Sequence, residues 1–256
     1  MGLFSRRKPK ADDHTDDDGL ELDESLFAPI RRLWNISGNH GFTSDQMARL
    51  IAIWGDIPSL LIQYYRQLGV QKELNGIGSG FAHLVLPPDP KHQSVWLPPV
   101  APPNDYLEFY YEEQGIYTWG IRSADLTLDD PPVYVTEGYP EDNPVWYLES
   151  PNLSDFLLTM AHFQAIGQLP FSSPSHYSIS ADEEKRVKAK FRVLCRPFEH
   201  AWGAVFYGNH DDDSIMIMHD SNNLENEEEI ELAYSSGAKG HYDEMLAVLD
   251  GMGEPI

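Results

Sequence analysis

Residues 106–134 read YLEFYYEEQGIYTWGIRSADLTLDDPPVY, and this stretch restricts the possible folds more than any other. Tyr106–Tyr111 consists almost wholly of β-favouring residues. Simple alternation sends Leu107, Phe109 and Tyr111 to one face and Tyr106, Glu108 and Tyr110 to the other. Glu112, Glu113, Gln114 and Gly115 supply the loop, with Gly115 free to take a positive φ. The return arm is Ile116–Ile121, centred on Trp119 and Gly120. Asp130-Pro131-Pro132 then turns the chain into a further strand over Val133–Thr136. The outcome is a densely aromatic antiparallel sheet with no obvious catalytic apparatus, which points to binding rather than bond-making.

Helices flank this sheet. Thr43 and Gln46 fit a capping box, after which Met47, Leu50, Ile51 and Trp54 recur at helical spacing until Gly55. Pro58 suits the first turn of a second helix that buries Leu61, Tyr64, Tyr65 and Leu68 and stops at Gly69. Two amphipathic helices ahead of a sheet are expected to cover one of its faces. Gly76–Gly80 lacks the Lys-Ser/Thr of a phosphate loop and reads as a turn. Phe81–Leu86 and Val95–Leu97 read as short strands, and the prolines of Pro98–Asn104 enforce irregular chain.

Beyond the hairpin, Val145–Leu148 forms a strand and Ser150 or Asn152 caps a helix. Leu153, Phe156, Leu157, Met160 and Phe163 form the buried side of that helix, and Gly167 ends it. Leu169–Tyr177 is a Ser- and Pro-rich loop, a seam before the C-terminal section 180–256. There Ser180 and Glu183 form a second capping box, opening a helix expected to run to near Arg196. Lys185, Arg186, Lys188, Lys190 and Arg192 make it the one sizeable basic cluster of the folded region. Ala204–Tyr207 with Ser214–His219 reads as a second hairpin, Ile230–Tyr234 as a third strand and His241–Leu249 as a terminal helix. The fold class is α+β.

Met1–Glu24 reads as a disordered tail. A block of four cations (Arg6, Arg7, Lys8, Lys10) precedes a block of eight acids, with almost no apolar content to offset the entropy of ordering. The cations have no apolar segment behind them, so the segment is not a secretory signal, and Arg6 stands where myristoylation needs Ser or Thr. No apolar run approaches the roughly 20 residues that cross a bilayer, so no membrane partner is expected. Cys195 is the sole cysteine. That excludes an internal disulfide and suits a reducing cytoplasm.

The chain holds 41 acidic against 18 basic residues, a net charge of −23. This charge repels phosphate backbones, which argues against direct nucleic-acid binding. It would instead attract a basic protein partner, although acidity also serves solubility alone. The clearest acidic stretch within the folded part, 209–231, has nine acidic residues and no Lys or Arg. It is either a surface that occupies a cationic cleft or a solvated loop.

Catalytic and metal chemistry find little support. His210–Asp213 and His219-Asp220 combine ligand types, yet no His-Glu-x-x-His, paired Cys-x-x-Cys or calcium-loop spacing occurs. A loop role is the simpler reading of those aspartates. Glu108, Glu112 and Glu113 could pair as acid and base, but carboxylates around a hairpin turn more simply discourage edge pairing. No nucleophile elbow is present. No cofactor, metal ligand or catalytic residue is assigned. The candidate partner-binding residues are Asp211, Asp212, Asp213, Glu227, Glu228 and Glu229, with Tyr106, Glu108, Tyr110, Glu112 and Glu113 on the hairpin.

The aromatic strand, the Glu-x-Gln-Gly loop ending at Gly115, Trp119-Gly120-Ile121 and Asp130-Pro131-Pro132-Val133-Tyr134 together resemble the core of the SUKH superfamily. Ile57–Gly69 resembles its first helix, and Trp146 with Ser154–Leu157 the strand and helix that follow. The resemblance covers about 57–166. It implies one domain over 42–256, a curved, mostly antiparallel sheet covered by helices. It further implies a bacterial immunity protein that neutralises a cognate toxin, with a nuclease as a candidate, by occluding its active site. The alternative is a cytosolic scaffold or regulator, like the fungal cell-wall-synthesis members.

Overall fold

The structure is a computed structural model, and it describes residues 23–77, 82–87, 105–138, 144–220 and 229–256. The tail read as disordered lies outside these residues except for Asp23 and Glu24, as do Val95–Leu97 and Pro98–Asn104. Among the described residues there are α-helices at Ala28–Leu33 (α1), Ser44–Trp54 (α2), Ser59–Leu68 (α3), Leu153–Ala165 (α4), Ala181–Lys190 (α5) and Lys239–Leu249 (α6). The strands fall into two antiparallel sheets, so the chain is α+β. None of the helices is long and apolar enough to cross a membrane.

The first sheet holds β1 (Ala82–Leu84), β2 (Tyr106–Glu112), β3 (Tyr117–Arg122), β4 (Val133–Glu137) and β5 (Trp146–Ser150), paired in chain order. The expected hairpin forms as β2 and β3, with Gly115 at φ 74° in its turn. The second sheet holds β6 (Phe171–Ser172), β7 (Tyr177–Ile179), β8 (Arg192–Val193), β9 (Val205–Gly208), β10 (Asp213–Asp220), β11 (Glu229–Ser236) and β12 (Glu254–Pro255). Its order is β12-β7-β11-β10-β9-β8, with β6 also on β11.

This corrects the expectation of one sheet. The stretch 169–177, read as a loop, supplies β6 and the first residue of β7. Both pair with β11, at Ser235–Ser236 and at Ile230–Leu232, as two pieces of one interrupted strand. The interruption contains Pro174, which has no N–H to give a ladder.

Helix α4 lies between the sheets. On one side Phe156 meets Phe109, Tyr110 and Trp119 of the first sheet. On the other, the alternation along β9, β10 and β11 points Phe206, Met216 and Ala233 into the same core cluster. Tyr207, Ile215, Ile217, Leu232 and Tyr234 face the opposite way, into a second cluster with Val187 of α5 and Met245 and Leu249 of α6. Both capping boxes form as read, at Thr43/Gln46 and Ser180/Glu183.

Two boundaries differ from the sequence reading. Helix α5 stops at Lys190, because Phe191 turns extended and buries its ring in the second cluster. The folded residues begin well before position 42. Phe27, Ile30 and Leu33 are buried, Trp34 Nε1 donates to Ala161 O of α4 at 3.2 Å, and Arg31 Nη2 donates to Gln67 at 3.1 Å.

Because Phe156 touches three rings of one sheet and lies on the helix that carries the other, Phe156→Ala should cost about 3–5 kcal/mol. Urea unfolding followed by tryptophan fluorescence measures this. A loss below about 1 kcal/mol would mean that α4 is not the central element.

Candidate partner-binding surface

The alternation expected along β2 breaks within it. Glu108 pairs with Gly120 but Tyr110 with Trp119, a β-bulge that shifts the register by one residue. From that point inward and outward exchange. Tyr110, at 1% exposure, packs edge-on to Trp119 and Phe156 and lies 3.4 Å from Gln164 Nε2. Glu112, at 6%, accepts the Ile116 N–H at 3.0 Å and so closes the hairpin turn. Neither residue can meet a partner, contrary to their candidacy. Glu113 remains exposed at the turn.

The bulge sends Tyr111 outward in place of Tyr110. Its hydroxyl donates to Glu108 at 2.5 Å, and burial, reinforced by the Glu108 carboxylate, raises its pKa. Cross-strand register then defines an outer face: Tyr106 opposite Arg122, Gly120 opposite Tyr134, Tyr134 opposite Leu148, and Thr136 opposite Trp146. Tyr106 stacks on Trp146 at 4.1 Å and 13°, Tyr134 meets Tyr106 edge-on at 5.5 Å, and the Arg122 guanidinium sits 5.6 Å from the Tyr134 ring. Gly120 allows this, since a Cβ there would lie 3.0 Å from the Trp146 ring. The face is aromatic and half-exposed, with Leu148 at 45%. Tyr134 and Leu148 were not singled out from sequence, although Val133 and Val135 flanking Tyr134 already imply that its ring points away from the core.

The acidic run 211–213 is a held turn in which Asp213 is buried, Asp212 is half-buried and Asp211 stays exposed. Asp213 is fully buried at the start of β10. Its carboxylate accepts N–H groups from Asn209 (3.1 Å) and His210 (2.9 Å) and the Ser236 hydroxyl (3.2 Å). Asp212 accepts from His241 Nδ1 at 2.6 Å, and its carbonyl takes the Gly237 N–H. Asp211 pairs with Arg32 of α1 at 2.7 Å and lies 3.7 Å from Arg192 of β8, between clefts of about 240 and 400 Å³. Glu227 and Glu228 lie outside the described residues, and Glu229 is described only as backbone in β11.

Histidines anchor this end of the second sheet. His210 stacks on His241 at 3.7 Å and 4°, and Glu244 raises the His210 pKa by its hydrogen bond. Asp212, Asp213 and His241 bring ligand atoms within 4.8 Å of one another. The oxygens of Asp213 are already engaged in the three bonds given above, so the cluster is accounted for as a loop anchor. His219 pairs with Glu184 at 2.9 Å, and His176 pairs with Glu231. Two further groups are buried against reaction. Burial pushes the Cys195 thiol up to about 12 and the His162 imidazole down to about 4.

Comparison with protein-family models, curated proteins and solved structures finds no match to this chain.

Asp213→Ala removes the acceptor for two backbone N–H groups and should lower stability by about 3 kcal/mol, read by thermal unfolding. Asp213→Asn, which keeps one acceptor oxygen, should lose about half as much. Equal stability of all three proteins would return Asp213 to the role of a surface charge.

His176 supplies a pH signature. Its hydrogen bond to Glu231 raises its pKa above the ordinary imidazole value, against desolvation. A raised pKa stabilises the fold fully below the unfolded value, and that stabilisation disappears as pH rises through the folded value. The stability gap between the native chain and Glu231→Gln should therefore be widest near pH 5.5 and narrow by about pH 8.5. A gap that widens with pH would contradict the pairing.

Proposed function

We propose that this chain is a non-enzymatic binding protein with a SUKH-like fold, an immunity protein that neutralises a basic toxin domain by covering its active site in the cytoplasm. The observation that carries this reading is the outer face of the first sheet, where Tyr106, Tyr134, Trp146 and Leu148 stay accessible while the inner face is committed to α4. Rings stacked on one another lose little entropy on binding and suit the anchor positions of an interface.

Charge gives the partner its sign. At −23 the chain attracts a cationic surface and speeds encounter with it. Glu108 on the face and Glu113 exposed at the hairpin tip add carboxylates to the same sheet. A nuclease is the toxin class whose substrate-binding cleft carries the required positive charge.

The test is co-expression with a toxin domain encoded beside this gene. Growth should be rescued, and a complex should form that weakens as salt rises. Tyr106→Ala should weaken that complex by about 2 kcal/mol, roughly thirtyfold, with little change in thermal stability. Rescue without any complex, or turnover of a small molecule by the purified chain, would refute the proposal.

A further inference from the structure

We infer that β5 is a docking edge, which takes up an extended, cationic strand of the partner and so lengthens the first sheet by one strand. The inference rests on the binding-protein reading and specifies its geometry.

Strand β5 ends the order of the first sheet, so among the described residues one row of its backbone N–H and C=O groups has no strand beside it. Beyond the ladder to β4, its one backbone bond among the described residues runs from Glu199 N–H to Glu149 O at 3.3 Å. That bond closes the C-terminal end, and Pro144 closes the other. Between them lies the window Val145–Leu148, about 13 Å long, enough for a short strand to pair.

Side chains in this window are unusually apolar for an edge. Val145 is 62% exposed, Tyr147 44% and Leu148 45%. The edges of the second sheet show the contrast. Strands β8 and β12 are two residues each and carry Arg192, Glu254 and Pro255, the charges and proline that blunt an edge. Strand β5 has no such protection, because its one charged residue, Glu149, is turned inward to accept the N–H groups of His200 and Ala201.

Two features fix the occupant. Unpaired ladder groups select an extended segment over a helix, since a helix has already satisfied its own backbone. The charge is set positive by the net −23 of the chain, to which Glu137 at the end of β4 (beside His200) and Glu199 (paired with Arg196) add exposed carboxylates near the window. Edge-to-edge pairing of two copies would bring those same charges together. An added strand would also extend the outer face, placing its side chains next to Trp146 and Leu148.

Hydrogen exchange with an acetylated, amidated hexapeptide of alternating Val and Lys tests this. At about 150 mM salt the peptide should slow exchange of the outward amides within Val145–Leu148 by tenfold or more. The same peptide N-methylated at alternate residues keeps the charge but cannot pair, and should give no protection. Val145→Lys with Leu148→Lys, both at exposed positions, should abolish the effect. Equal protection by the methylated peptide, or protection elsewhere, would overturn the inference. Protection that appears without peptide as protein concentration rises would assign the edge to a second copy and overturn it equally. No toxin enters this experiment, so its failure leaves the immunity reading standing, and failure of toxin rescue leaves the edge result standing.

Discussion

The architecture depends on α4 being held from both sides. A helix on one sheet needs a single apolar stripe, whereas α4 buries Phe156 and Met160 and also Thr159, His162 and Gln164. Its polar side chains reach out of the helix to separate elements. Gln164 Nε2 donates to Ala82 O of β1 at 2.5 Å, Thr159 to Arg196 O at 2.7 Å, and His162 Nδ1 lies 3.3 Å from Ser214 Oγ of β10. Ser214 in turn donates to the His162 carbonyl at 3.1 Å. Each group would be costly to bury alone, so together they fix the rotation of α4 between the sheets.

That commitment decides what is left for a partner. With one face of the first sheet closed by α4 and α3, the other face and the last strand are what stay open to solvent. The carboxylates divide in the same way. Glu112, Glu149 and Asp213 are buried acceptors of backbone N–H groups, and burial raises the pKa of Glu149. Glu113, Glu137 and Glu199 remain in water. Net charge alone therefore overstates how much acidity a partner meets, and position along the chain says little about which acids those are.

Local signals were legible from residues alone. The capping boxes at Thr43 and Ser180 and the Gly115 turn are short-range chemistry, and each forms as read, while of the two candidate caps Ser150 and Asn152 it is Asn152 that caps α4. The bulge at Glu108–Tyr110 was not legible, because nothing within β2 distinguishes a register slip from regular alternation. The second sheet was half legible. Its hairpin stood out, but β6 and β7 depend on β11, some 60 residues away. A signal for the two-sheet arrangement did exist in α4, where Ala161, Ala165 and the buried His162 and Gln164 widen the stripe beyond one face. Asp213 misled because three consecutive aspartates resemble a solvated loop, whereas one of them is the acceptor that shapes the turn.

The bulge has an evolutionary corollary. Tyr110 and Tyr111 are neighbours of equal chemistry, and a one-residue register slip alone sends the first to the interior and the second to the surface. A lineage that gained or lost this irregularity would exchange the vocabulary shown by half of β2 while keeping the same amino-acid inventory. Specificity could then diverge in a single step without a new side chain, by re-aiming those already present.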